Sequence, residues 1–66
     1  MEVMINGAPR EVPEQLSLEH AVSLISTSAT GIAVAVNGEV VRRASWPEHR
    51  LLPGDEIEVL TAVQGG

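Results

Sequence analysis

Two Asn-Gly pairs, Asn6-Gly7 and Asn37-Gly38, are the strongest constraint on how this chain can fold. Asn-Gly is a preferred dipeptide of the two-residue type I′ turn, because both central residues of that turn adopt positive φ angles. Each pair is flanked by short segments in which apolar residues alternate with other residues, the period-2 pattern of a strand. The sequence therefore predicts two β-hairpins, one at each pair.

The composition of the hairpin strands predicts where they lie in the sheet. Pro9 falls in the return segment 8–12 of the first hairpin, and proline cannot donate a hydrogen bond to a central ladder. We therefore place this strand at an edge. In strand 32–36 of the second hairpin, large side chains project to one face, while Ala33 and Ala35 project to the other.

Between the hairpins lies one helical pattern. Apolar residues recur at i, i+3, i+4 and i+7 from Leu18 to Ile25, which is the spacing of an amphipathic helix. Ser17 precedes the first of them and is a favourable N-cap residue. We predict a helix from Leu18 to about Ser26.

The last third of the chain predicts a crossover and a fifth strand. Trp46, the single aromatic residue, is expected to cap the open end of the core, and Pro47 is expected to end any regular run there. Pro53-Gly54-Asp55 is a turn signal. The alternation that follows, from Glu56 to Val63, predicts the final strand.

Hairpin, helix, hairpin and final strand make an α+β plan. It is the β-grasp (ubiquitin-like) arrangement, a mixed four- to five-stranded sheet with one main helix on one face. We expect the fifth strand at the centre, parallel to the first. With 66 residues and no cysteine, the chain is expected to form one small domain with an aliphatic core. We assign residues 1–63 to this domain and residues 64–66 to a flexible C-terminal Gly-Gly tail.

The charge balance predicts which classes of partner the protein has. Nine acidic residues stand against four arginines and no lysine, so the net charge is -5. A nucleic-acid-binding module needs a clustered basic face, and we expect no nucleic-acid partner. The charge instead favours approach to a basic protein surface. We also find no apolar run of spanning length and no signal peptide, so we expect no membrane association and a cytoplasmic location.

The side chains offer little for catalysis. The two imidazoles, His20 and His49, lack metal-ligand spacing, and the chain has no cysteine. We interpret both histidines as surface or packing residues. The sequence therefore predicts no catalytic residue, no metal site and no bound cofactor, and a protein that is not an enzyme.

The chain ends in Gln64-Gly65-Gly66. Glycine lets a backbone approach another surface closely, which suits a tail that is threaded into the active site of a partner. A frayed terminus is the alternative, since small residues are common at chain ends. The carboxylate of Gly66 would be ionised and a poor electrophile, so a partner would have to activate it, most simply by adenylation with ATP.

The outward face of the fifth strand changes from charged to apolar just before this tail. Its outward residues, by parity, are Glu56, Glu58, Leu60, Ala62 and Gln64. Leu60 and Ala62 would form a docking patch for a partner beside the tail. Ala33 and Ala35 would extend it if they face outward on a neighbouring strand. Single exposed apolar residues are also common and need no partner, so both interpretations stay open.

These features together resemble the ThiS family, the sulfur carrier proteins of thiamine biosynthesis. The resemblance covers essentially the whole chain. It rests on the opening Val3 to Gly7, the hairpin 32–41, Trp46, the Gly54-Asp55 turn and the final Gly65-Gly66. No single motif is specific, but their combination with a terminal Gly-Gly is.

The resemblance implies a carrier rather than a catalyst. In that family an E1-like enzyme uses ATP to adenylate the carboxylate of the last glycine, here Gly66. It then becomes a thiocarboxylate with sulfur from a cysteine desulfurase, and thiazole synthase uses that sulfur to build the thiazole ring of thiamine. Gly65, together with Gln64, would serve the threading of the tail. Members often have proline where this chain has Arg42, a departure that concerns the local backbone.

Two alternatives stay open at this point. The chain could be a carrier for molybdopterin synthesis or for another sulfur pathway. It could also be a β-grasp interaction domain similar to the TGS modules, whose closing strand follows a comparable Pro-Gly-Asp turn. In the second case the diglycine would be incidental.

Overall fold

The computed structural model describes residues 1–25 and 31–61 of the chain. Within these ranges the chain forms a five-stranded mixed sheet with strand order β2-β1-β5-β3-β4, one α-helix and one 3₁₀ helix. The elements are β1 (Glu2–Ile5), β2 (Ala8–Glu11), α1 (Leu18–Ser23), β3 (Ile32–Val36), β4 (Glu39–Val40), the 3₁₀ helix (Arg43–Glu48) and β5 (Glu56–Thr61). The α+β class and the β-grasp plan predicted from the sequence are confirmed.

Both predicted hairpins form, and their turns have the backbone that Asn-Gly favours. The φ angles are 52° at Asn6 and 82° at Gly7, and 53° at Asn37 and 83° at Gly38. Positive φ at both central residues is the requirement of a type I′ turn, whose twist matches that of the flanking strands. The turns therefore fix the register of β1 against β2 and of β3 against β4.

Strand β5 lies at the centre of the sheet, as predicted. It pairs in parallel with β1, where Ile57 lies opposite Ile5, and in antiparallel with β3 over its described length. Strand β2, which carries Pro9, is at the edge, where a missing N–H costs least. The predicted continuation of β5 to Val63 lies outside the described residues.

Helix α1 begins as the sequence predicts. The side chain of Ser17 accepts a hydrogen bond from the backbone N–H of His20 at 3.1 Å, which satisfies one of the amides that the first turn leaves without a partner. Leu18, Ala21 and Val22 are buried against the sheet. The i, i+3, i+4 spacing is therefore the face that contacts the core.

The end of α1 corrects the sequence prediction, because the helix stops at Ser23 rather than near Ser26. The Ser23 hydroxyl donates to the carbonyl of His20 at 2.6 Å, so it competes for a carbonyl that the helix ladder also uses. The N–H of Ile25 then bonds the Val22 carbonyl at 3.1 Å, an i to i−3 contact that tightens the last turn. Ile25 consequently leaves the core stripe and is 36% exposed.

The core lies between α1, the 3₁₀ helix and one face of the sheet. Trp46 is 3% exposed, and its indole N–H donates to the Val41 carbonyl at 2.9 Å, so it closes the core as predicted. Pro47 does not end the regular run but lies inside the 3₁₀ helix, because the φ that proline imposes is also the φ of that helix. The buried apolar residues are Val3, Ile5, Val12, Leu18, Ala21, Val22, Val34, Val36, Trp46, Leu51 and Ile57.

One buried carboxylate ties the start of β5 to the second hairpin. Asp55 is 9% exposed and accepts hydrogen bonds from the Leu52 N–H at 2.8 Å and from the Asn37 side-chain amide at 3.0 Å. Gly54, with φ of 84°, makes the turn that brings these groups together. The predicted Pro53-Gly54-Asp55 turn is therefore also a link between two parts of the sheet.

Replacement of Asp55 by alanine should lower the free energy of unfolding by about 1–3 kcal/mol, because it leaves two donors without their acceptor. Urea denaturation measures this change. The exposed neighbour provides the control, since Glu56→Ala should change stability by no more than about 0.5 kcal/mol. Equal effects of the two substitutions would contradict the role given to Asp55.

Candidate functional site

The residues predicted to act in the tail, Gln64, Gly65 and Gly66, lie outside the described residues, and so does Ala62. What the structure describes is the strand that leads to them. Because β5 is central and reaches Thr61, the sheet holds the chain up to five positions before its last residue. The candidate site is therefore described through β5 and the strands beside it.

The two faces of β5 have opposite character, as the parity argument predicts. Ile57 is 1% exposed and belongs to the core. Glu56 and Glu58 are exposed on the other face, and Leu60 on that face is 65% exposed. We refer to the face that bears these three residues as the outer face. Its change from charged to apolar along β5 is confirmed as far as Leu60.

The register of the sheet brings further small and apolar residues beside Leu60. Ala33 lies directly opposite Leu60, and Ala35 lies opposite Glu58 on one side and Val40 on the other. Residues that are directly opposite in a ladder share a face. The outer face therefore carries an apolar patch made of Leu60, Ala33, Ala35 and Val40.

Exposure within the apolar patch is uneven. Val40 is 72% exposed, Ala33 is exposed and Ala35 is half-buried. Val40 is not among the patch residues predicted from the sequence, although the two-residue loop of the second hairpin indicates its position. That loop places Val36 opposite Glu39 and hence Ala35 opposite Val40. Small residues in the middle of the patch leave room for a partner to approach the sheet closely.

Acidic side chains border the apolar patch. Within residues 1–25 and 31–61, neither Glu56 nor Glu58 is in an ion pair; the ion pairs found there join the Met1 ammonium to Glu11 at 2.8 Å and to Glu14 at 3.7 Å. The hydrogen bond to Glu11 raises the pKa of this ammonium group above its usual value of 8.0, against an opposing effect of desolvation. Because Glu56 and Glu58 form no ion pair within the described residues, these two carboxylates beside the patch are available to a basic partner.

The described part of the chain contains no recognisable centre for chemistry. No group of three potential metal ligands and no pocket occurs among residues 1–25 and 31–61. His20 is exposed on α1 and His49 is half-buried at the end of the 3₁₀ helix, in agreement with surface and packing roles. No helix in the same ranges is long and apolar enough to cross a membrane.

A five-stranded mixed sheet that holds one helix, with its last strand at the centre, defines the β-grasp class of protein, which is also the fold of ubiquitin. Within that class the assignment is specific. The model of the ThiS family matches residues 3–66, and the chain belongs to this family. The match includes Gly65 and Gly66.

Individual relatives agree with this assignment over their full lengths. The chain is 33% identical over 64 residues to the sulfur carrier protein ThiS of Thermus thermophilus, an alignment that covers 97% of this chain and 98% of that one. The crystal structure of the thiamine biosynthesis protein ThiS from Geobacter metallireducens superposes with a TM-score of 0.87 at 32% identity and covers 100% of both chains.

A third relative has a different architecture. The chain is 26% identical over 66 residues to a thiazole synthase of Paramagnetospirillum magneticum. That alignment covers 100% of this chain but 20% of the thiazole synthase. A segment similar to the whole of this chain therefore occurs within a longer polypeptide named for thiazole synthesis.

Proposed function

We propose that this protein is the sulfur carrier of thiamine biosynthesis and that the carboxylate of Gly66 carries the sulfur as a thiocarboxylate. The observation that carries the proposal is the ThiS family match over residues 3–66. It is supported by the full-length similarity to the Thermus thermophilus sulfur carrier. The protein acts in this scheme as a co-substrate of other enzymes and not as a catalyst.

The chemistry of the tail requires activation by a partner. A carboxylate is ionised at neutral pH and does not accept a nucleophile at its carbon. An E1-like enzyme would bind ATP, and a carboxylate oxygen of Gly66 would attack the α-phosphorus and release pyrophosphate. A cysteine desulfurase would transfer the sulfur of cysteine as a persulfide, whose outer sulfur would displace AMP at the carbonyl carbon to give an acyl disulfide. Two equivalents of a thiol reductant would then cleave the S–S bond, release the carrier thiol and leave the thiocarboxylate on Gly66.

The composition of the body suits a reactive acyl group. The chain contains no lysine, cysteine or tyrosine, so few side chains could attack the adenylate or the thiocarboxylate within one molecule. The two glycines add no side chain near the reacting carbon. ATP as co-substrate of the E1-like enzyme is the reason to place the reaction in the cytoplasm.

The final sulfur acceptor is proposed from the relative with the longer chain. The thiazole synthase of Paramagnetospirillum magneticum contains a segment similar to this chain. We infer that a thiazole synthase is the enzyme that takes sulfur from Gly66. The same observation favours the thiamine pathway over a carrier for molybdopterin and over an interaction module of the TGS type.

The apolar patch on the outer face is the proposed docking surface for the E1-like enzyme. Its four residues lie on the strands β5, β3 and β4, and Leu60 precedes the start of the tail at Gln64 by four positions. A partner that covers Leu60 would thus bind the body close to the point where the tail begins. Glu56 and Glu58 would meet basic residues on that partner.

Deletion of Gly66 should abolish sulfur transfer while leaving the fold intact. The shorter tail loses about 3.3 Å of reach, and misplacement of a reacting group on this scale lowers rates about 100-fold or more. Thiazole formation is measured in a mixture of the E1-like enzyme, ATP, cysteine, cysteine desulfurase, a thiol reductant, and thiazole synthase with the substrates that supply the carbon and nitrogen of the ring. Leu52→Ala, an exposed substitution outside the tail and the patch that keeps the length and the terminal carboxylate, is the control. Full activity of the shortened chain would show that Gly66 does not carry the sulfur and would refute the proposal.

Replacement of Leu60 by aspartate should raise the dissociation constant for the E1-like enzyme about tenfold or more, because it removes the large apolar side chain nearest the tail and places a charge on the docking surface. Leu52→Asp is the matched control, since Leu52 is 63% exposed and Leu60 is 65% exposed, but Leu52 lies before β5 and off the patch. Calorimetric titration measures both variants, and thermal melts verify that they fold. Equal affinities of the two variants would show that the outer face is not the docking surface.

A further inference from the structure

Among residues 1–25 and 31–61, the second half of β5 has a neighbouring strand on one side only. On the side of β3 the pairing continues to the end, where Thr61 lies opposite Ile32. On the side of β1 it ends with the pair of Ile5 and Ile57, because β1 turns at Asn6-Gly7. We call residues 58–61 the tail-bearing half of β5, since they are the last described residues before the tail.

The side chain of Asn6 adds one hydrogen bond on the open side. Its backbone N–H donates to the Ile57 carbonyl at 2.9 Å, which is the last backbone bond found between the described parts of the two segments. Its side-chain oxygen, Oδ1, accepts the backbone N–H of Val59 at 2.8 Å. Because alternate residues of a strand direct their N–H groups to the same side, this bond continues the β1–β5 ladder by one position.

Asparagine is one of few residues that can both adopt the positive φ angle of the turn and offer a side-chain acceptor to β5. The φ angle of 52° at Asn6 is tolerated by glycine, asparagine and aspartate. Glycine would make the turn but has no side-chain acceptor, whereas aspartate has both. The hairpin turn requires only the positive φ angle of Asn6. The side-chain oxygen of Asn6 is not needed for the turn and is therefore available to accept a hydrogen bond from β5.

We propose that Asn6 is a positioning residue that holds the tail-bearing half of β5 and so fixes the direction in which residues 62–66 extend toward the E1-like enzyme. The inference rests on the proposed function, because it gives the held strand a purpose in tail presentation. A strand that is already fixed in the binding direction loses less conformational entropy when the partner takes the tail. Loss of the Asn6 bond would reduce the population of chains that are ready to bind.

The second hairpin contains the same arrangement at the other end of β5. Asn37 Oδ1 accepts the N–H of Glu56 at 3.0 Å, and its amide donates to Asp55 at 3.0 Å. This site lies at the start of β5 and away from the tail. Asn37→Gly therefore provides a comparison in which β5 loses side-chain hydrogen bonds but the tail-bearing half keeps its own.

The first test is amide hydrogen exchange in Asn6→Gly and Asn6→Asp. In Asn6→Gly the exchange of Val59 should accelerate about two- to tenfold, the factor that corresponds to one net hydrogen bond. The Leu51 amide, which donates to the Leu16 carbonyl at 2.9 Å and lies outside β5, is the internal reference for global unfolding. In Asn6→Asp, which keeps an acceptor and the turn, the ratio of Val59 to Leu51 exchange should stay as in the unchanged chain.

The second test separates positioning from stability through the kinetics of adenylation, followed by pyrophosphate release. In Asn6→Gly the KM for the carrier should rise about two- to tenfold at unchanged kcat, because a bound tail is already in place. In Asn6→Asp the KM for the carrier should lie within about twofold of that of the unchanged chain. In Asn37→Gly the KM should not change, although this variant loses at least as much stability.

The proposal is overturned if Val59 exchange in Asn6→Gly is unchanged, or if the KM rises equally in Asn6→Gly and Asn37→Gly. If Asn6→Gly does not fold, the scalar coupling through the hydrogen bond between Val59 N and Asn6 Cγ decides in the unchanged chain, and its absence contradicts the proposal. A chain that is never adenylated refutes the proposed function instead. The exchange of Val59 still decides in that case whether Asn6 holds the strand.

Discussion

The position of β5 between β1 and β3 is the constraint on which the rest of the structure depends. Its backbone bonds a parallel strand on one side and an antiparallel strand on the other, so both edges of its first half are satisfied in the interior of the sheet. The same register buries Ile57 and exposes Leu60. A shift by one residue would exchange these two side chains between core and surface. The fold and the position of the apolar patch are therefore set by one pairing.

In the proposed function the molecule has two parts, a body that binds the partners and a tail that reacts. The described body contains hydrogen bonds and a small aliphatic core, and none of its residues 1–25 and 31–61 form a metal cluster or a pocket. In the proposed function the partner enzymes provide the nucleotide, the sulfur and the catalytic groups. The body would then serve to be recognised and to present the tail, and the pairing of β5 on both sides gives it a rigid support for that role.

Local signals predicted most of the fold. The Asn-Gly pairs determined both hairpins, Pro9 marked the edge strand and Ser17 marked the start of α1, because each acts through its own backbone or its nearest neighbours. The early end of α1 at Ser23 and the inclusion of Pro47 in a 3₁₀ helix were missed, since both depend on which of two allowed local geometries the packing selects. The bond from Val59 to Asn6 spans 53 residues, and only the assembled sheet brings these atoms together. The alternation of side chains along β5 predicted that Leu60 faces outward. The position of Val40 in the apolar patch depends on the register between β3 and β4.

The central claim is that Gly66 is the site at which sulfur is carried, and intact-mass spectrometry with fragmentation of the tail tests it most directly. The protein is incubated with the E1-like enzyme, ATP and a sulfur source, and a sample without ATP is the control. The account predicts the replacement of one oxygen by one sulfur at Gly66, and only in the sample with ATP. An unchanged mass, or sulfur located on any other residue, would contradict it.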